Sequence, residues 1–191
     1  CEQSLLTDRE PADIDRIEVF RNNRIVANLN AVRGGETYGG GSSGTRFIGN
    51  TFVRAEPLRE DYRTIQMGFW NREVRDHHFI DSKFENGAGY DSFKFDGEAK
   101  AVRDFSVGHQ VTVRTAPGAT VTATDREKRE VFRGTANEEG VAVLGLLKYR
   151  QSPSGRTELT PHVIVVSKGE KSQERSVTVS GPEQVEIPLS E

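Results

Sequence analysis

The chain has 191 residues, a net charge of −3 and a mean hydropathy of −0.61, which allows one or two domains but no apolar run long enough for a membrane-spanning helix. Val, Leu, Ile and Phe make up 46 residues, enough to build a packed core rather than a disordered chain. The acidic balance lacks the cationic footprint of a non-specific nucleic-acid binder, and a single cysteine excludes an internal disulfide framework and a Cys-based zinc site.

The chain starts on Cys1. Bacterial lipoproteins begin with a lipid-modified cysteine after signal cleavage, so Cys1 resembles such an anchor point, and the resemblance implies a lipid anchor there. The alternative is that Cys1 opens a piece of a longer protein. No targeting segment follows it.

Composition changes near residue 108. Residues 1–108 hold nine of the ten Phe, seven of the eight Asn, the only Trp and the whole net charge, while residues 109–191 hold twelve of the nineteen Val. Neither part shows a long apolar stripe of helical period. Both show short runs of Val, Ile, Phe and Thr between Gly, Asn, Asp and Pro, the pattern of strands and turns.

The first part repeats itself. FRNNRI at 20–25, FIGNTF at 47–52 and FIDSKF at 79–84 share an apolar–turn–apolar pattern, with a fainter echo in VRDFSV at 102–107. Aligning Ile25, Phe52, Phe84 and Val107 gives spacings of 27, 32 and 23 residues, the range of a solenoid whose repeats stack their apolar faces. At each corner the Asn or Ser side chain is expected to satisfy backbone groups, and Phe47, Phe52, Phe79 and Phe84 are expected to stack inside. These phrases resemble the right-handed parallel β-helix of secreted polysaccharide-active proteins, over roughly residues 14–108. The alternative is an irregular β-sandwich with chance Asn turns.

Gly39–Gly44 matches the dinucleotide-binding glycine pattern, but a strand and turn follow it where a helix is required, so it reads as a loop. Trp70, exposed beside Tyr62 or Tyr90, is expected to be a plate for stacking on sugar rings, with core filling or domain-junction packing as the alternative. Arg72, Arg75 and His77 join it as carbohydrate-binding candidates, because a guanidinium fork matches a uronate carboxylate. The resemblance to β-helix lyases implies proton abstraction next to a uronate carboxylate, for which Arg75, His77 and Lys83 are candidate catalytic residues. His77 and His78 point to opposite faces of an extended strand and cannot chelate one metal together. Asp91, Asp96 and Asp104 are Ca²⁺-type ligands whose spacing matches no compact calcium loop; otherwise no metal or cofactor is expected.

In the second part, strands are predicted at 110–115, 119–125, 130–136, 141–149, 162–168, 176–180 and 184–189, with a hairpin turn at Asn137–Gly140 and a loop over 151–157. The segments PGATVTATD, VFRGTANEEGVAVLGLL and HVIVVSKGEKSQERSVTVSG resemble the carboxypeptidase regulatory-like (transthyretin-like) accessory modules, a non-catalytic family. The expectation is therefore an all-β protein: a partial right-handed parallel β-helix (1–108) and a small seven-stranded antiparallel β-sandwich (109–191). The resemblances imply a secreted or cell-surface, carbohydrate-associated segment with polysaccharide as its partner. A non-catalytic binding or scaffold role leads, with a polysaccharide lyase or glycosidase acting on an acidic polysaccharide as the alternative.

Overall fold

The computed structural model describes residues 6–7, 17–35, 42–68, 73–97 and 102–189. Among these the regular structure is entirely β, in several sheets. The chain divides into two compact units, Cys1–Ser106 with Gln151–Gly155, and Val107–Arg150 with Arg156–Glu191.

In the first unit, β1 (Leu6–Thr7), β4 (Asn30–Gly34), β8 (Arg63–Met67) and β11 (Phe93–Phe95) form one parallel sheet. A second parallel sheet joins β3 (Arg24–Ala27), β7 (Thr51–Arg54) and β10 (Lys83–Glu85). In a third, β2 (Glu18–Arg21), β6 (Thr45–Ile48) and β9 (Val74–Ile80) lie side by side, β2 and β9 both parallel to β6. The two-residue β5 (Ser42–Ser43) also pairs with β9. Sequence order thus deals one strand to each sheet in turn, and every return lands in register on the strand before it.

The register puts like on like. Phe20 pairs with Phe47 and Phe47 with Phe79, their rings stacked at 5.5 and 4.6 Å. Ile25 pairs with Phe52 and Phe52 with Phe84, the last two rings 5.8 Å apart. Phe47, Phe52 and Phe79 are fully buried, whereas Phe84 is only half-buried, its ring meeting Tyr90 edge-on at 4.5 Å.

The corners repeat as well. A left-handed residue stands at Asn22, Gly49 and Asp81, after the third-sheet strand of each rung. Glycine suits position 49, where φ is +64° and any Cβ would force the Asn22 side chain to move. Asn50 follows, fully buried. Its Oδ1 accepts from Asn23 N and Nδ2 at 2.8 and 3.1 Å, and its Nδ2 donates to Phe20 O at 2.8 Å. Ser82, one rung on, is too short to copy this, and its Oγ is buried with no hydrogen-bond partner among the described residues.

The uneven repeat length has a local cause. From Ile25 to Val32 takes 7 residues and from Phe84 to Phe93 takes 9, but from Phe52 to Ile65 takes 13, although each pair spans the same two sheets. The extra residues sit in the loop between β7 and β8. The echo at 102–107 is not a fourth corner. Val74 N donates to Val102 O, which places Val102 beside the start of β9 and not beside Phe79, and β12 (Arg103–Arg114) runs on as one strand.

In the second unit, β13 (Thr120–Thr124), β14 (Glu130–Thr135), β17 (His162–Lys168) and β18 (Lys171–Val177) form an antiparallel sheet in the order β14-β13-β17-β18. β12 is flanked by β15 (Val141–Ser152) and by β19 (Glu183–Glu186), and its pairing with β19 is parallel, a departure from the expected all-antiparallel arrangement. Val111, Val113, Val121, Leu144, Leu146, Ile164 and Val166 from both sheets share one buried cluster. Gly108 lets two strands meet, since an added Cβ there would lie 2.2 Å from Leu146 O. Two strands depart from expectation. β18 covers Lys171–Val177 and not the expected 176–180; its first six residues are exposed and polar, which hid it in the sequence and suits an edge strand. Most of the predicted 151–157 loop is strand: the end of β15 and β16 (Gly155–Glu158) around a two-residue turn.

Truncating Phe47 to Ala is expected to cost about 3–5 kcal/mol, and Asn50→Ala about 1–3 kcal/mol through the backbone groups it strands. Arg24→Ala, which removes an exposed ion pair to Glu85, should leave the denaturation midpoint nearly unchanged. Chemical denaturation of the three variants checks the order.

Candidate functional site

The predicted site residues centre on β9, where the alternation of a strand is interrupted. Asp76 is left-handed, with φ 58°, a conformation Asp adopts more readily than bulky residues. Beyond it the strand alternates again, with His77 and Phe79 inward and His78 outward. The two histidines do face opposite ways, as an extended strand requires.

Asp76 is the hub. Its Oδ2 accepts from Arg46 Nη2 at 2.9 Å and its Oδ1 from His78 Nε2 at 2.8 Å. Its carbonyl accepts from Arg46 Nη1 at 2.5 Å, and its amide donates to Asp104 Oδ1 at 3.1 Å. The cluster ties β6, β9 and β12 across the outer face, Arg46 being the direct register partner of His78. Partial burial opposes ionisation of Asp76, but the hydrogen bonds from His78 and Arg46 and the charge of Arg46 outweigh it and hold the carboxyl well below the usual range. Burial pushes His78 down despite its bond to Asp76, so at neutral pH it is an uncharged donor and Arg46 carries the positive charge.

His77 is fully buried. Its Nε2 lies 3.2 Å from Ser42 O, and a carbonyl can only accept, so Nε2 carries the proton. Nδ1 is buried with no partner among the described residues. Desolvation pushes the ring down to about 3, outweighing the bond to Ser42. A sealed, uncharged ring can neither touch a polysaccharide nor serve as its base, and His77 leaves both candidate sets.

The other predicted residues are not gathered around it. Arg75 is half-exposed and bound to Glu73 at 2.8 Å. Lys83 is exposed on β10, in a different sheet. Trp70 and Arg72 lie outside the described residues, as do Cys1 and residues 39–41 of the glycine run. Asp96 accepts from Gln66 and from Lys94 Nζ (2.6 Å), while Asp104 serves Asp76; among the described residues no three His, Cys, Asp or Glu side chains could hold one metal ion. The Arg46–Asp76 tie went unseen in the sequence, although the 32-residue offset that aligns Phe47 with Phe79 also places Arg46 beside His78. Chemically the cluster is closed: both carboxylate oxygens, the carbonyl and the amide of Asp76 are engaged, which makes it a brace rather than an acid–base pair.

No protein-family model matches the sequence, and no curated protein matches it.

His77 predicts a pH dependence with a definite sign. Its folded pKa, about 3, lies below the unfolded value of 6.5, so its stabilisation is complete above pH 6.5 and drains away as pH falls toward 3. The whole window is worth on the order of 3–5 kcal/mol, and His78 acts in the same sense. The urea midpoint of wild type should fall with pH between those limits, and His77→Phe should reduce that slope. An equal slope in both proteins would refute the assignment.

Proposed function

We propose that residues 1–108 are coils of a right-handed parallel β-helix and residues 109–191 a β-sandwich of the regulatory-like accessory type. On this reading the protein works outside the cytoplasm, secreted or at the cell surface, as a non-catalytic scaffold that holds an acidic polysaccharide.

The observation that carries the binding reading is the outer row Arg24–Thr51–Lys83, three side chains in direct register on successive rungs. Rungs repeat every 4.8 Å or so along the stack, a regular spacing to set against a repeating polymer. The row therefore presents, at the spacing of the rungs, a guanidinium paired with Glu85, a hydroxyl and the exposed ammonium of Lys83, which is the cation the reading rests on. Arg24 is held in place by a fork-to-fork pair with Glu85, both contacts 2.7 Å. Lys83 offers a compact ammonium one rung beyond Thr51. Right-handed crossovers are the rule for parallel strands, which supports the handedness.

The lyase or glycosidase alternative has less support. Its three candidates are dispersed: His77 is sealed, Arg75 is engaged by Glu73, and Lys83 stands on another sheet. Catalysis needs groups converging on one reacting atom.

Immobilised polygalacturonate and alginate should retain the protein, a neutral glucan should not, and added salt should weaken retention. Lys83→Glu should reduce affinity by about tenfold, or ~1.4 kcal/mol. Equal retention on charged and neutral polymers, unchanged by Lys83→Glu, would defeat the reading. Release of unsaturated oligosaccharides during the assay would favour the lyase.

A further inference from the structure

We propose that Asn86 is a site of spontaneous backbone-assisted deamidation, a slow covalent change at the corner that follows β10. Of the eight asparagines only Asn86 precedes a glycine. It is exposed, at the tip of a tight turn in which both Asn86 (φ 56°) and Gly87 (φ 80°) are left-handed and Ala88 N donates to Glu85 O at 3.2 Å.

The reaction needs the backbone nitrogen after an asparagine to reach that asparagine's carboxamide carbon. Gly87 has no Cβ to block the approach. The space where its Cβ would stand is open except for Arg54 Nη1 at 3.9 Å, so the 86–87 peptide can swing into an attacking geometry. Two other asparagines are pinned. Asn50 is locked between Asn23 and Phe20, and Asn137 Oδ1 accepts from Glu139 N and Val141 N at 3.0 and 2.8 Å.

The step is balanced without an oxidant or a cofactor. Gly87 N loses its proton to solvent base and bonds to Cγ of Asn86, and the Cγ–Nδ2 bond breaks as Nδ2 takes a proton from solvent and leaves as ammonia. Water then opens the cyclic imide at either carbonyl, leaving aspartate or isoaspartate. One water is consumed and one ammonia released. The product adds a carboxylate at the residue before Gly87, where an added Cβ would stand 3.9 Å from Arg54 Nη1, a guanidinium that now lies 5.1 Å from the centre of the Tyr62 ring. In the isoaspartyl form an added backbone methylene also breaks the turn that positions Phe84 against Tyr90.

The test is to age the full-length protein in mildly alkaline buffer and map it by tryptic digestion and isoaspartyl methyltransferase labelling. The peptide covering residues 84–94 should gain label at least about tenfold faster than the peptide containing Asn137, a barrier difference of ~1.4 kcal/mol. Asn86→Gln should remove the label, and the aged wild type should melt below the fresh protein while the aged variant does not. Label at Asn86 no faster than at Asn137 overturns the proposal. So does label that forms only in urea, because the native turn would then protect the site.

Discussion

Phe47 lies between Phe20 and Phe79, and Asn50, three residues on, holds the backbone of the preceding rung. This pairing of a ring stack with an amide clip is the constraint on which the first unit rests. A parallel strand that slipped by one residue would turn its inner side chains outward, setting Arg46 and Ile48 where Thr45 and Phe47 belong. The inner term is large: each buried ring contributes roughly 1.5–3 kcal/mol, and stacked pairs add about 0.5–1.5. The clip is smaller but directional. It satisfies only one register, because Asn50 can reach Phe20 O and Asn23 N together only when the rungs align. Exposed ion pairs such as Arg24–Glu85 add little to stability by comparison. Their role on this surface is to fix the position of charges already brought together by the core.

The same constraint explains the fate of β9. Phe79 must face inward to complete the stack, so His77, two residues earlier, faces inward too. The interior there is tight: a Cβ on Gly34 would lie 2.8 Å from both Met67 Sδ and Val74 Cγ1, and 3.6 Å from His77 Nε2. A histidine forced into that space keeps a single proton, because Ser42 O offers the one acceptor it meets among the described residues. Asp76, left-handed, is turned instead toward Arg46 and His78. A residue in that conformation inside a strand is strained unless its surroundings hold it, and the four contacts of Asp76 do so.

The aromatic ladder was legible because its signal is periodic and its residues large: Phe47, Phe52 and Phe79 recur at offsets that only stacking explains. The corners were legible in part. Asn50 carries the chemistry read from it, whereas the Asn23 side chain serves the Asn50 side chain rather than the backbone, and Ser82 occupies the position without the reach. What failed to show were events that break a period. The longer β7–β8 connection looks in sequence like a drift of the repeat, and the left-handed turn at Asp76 leaves only an aspartate within a strand, which many strands carry. Lys171–Ser176 gave no apolar alternation, since an edge strand with both faces wet needs none. Val102 imitated a corner residue through composition alone, and only a hydrogen bond to Val74 shows where it stands.

These features bear on the choice between binding and catalysis. An acid–base site needs a group whose protonation state can change at working pH and whose partners leave room for a reacting atom. On the outer face of β9 the carboxylate is held ionised by a guanidinium, the imidazole is held neutral by burial, and each is occupied by the other. Such a cluster gains nothing from a substrate and would have to be broken to admit one. A row of side chains at constant pitch needs no such freedom. It requires only that the rungs hold their spacing, which the ladder inside and the clip at the corner already provide. The rigidity that closes the Asp76 cluster to chemistry also holds the Arg24–Thr51–Lys83 row at a constant spacing, which is what the proposed binding role asks of it.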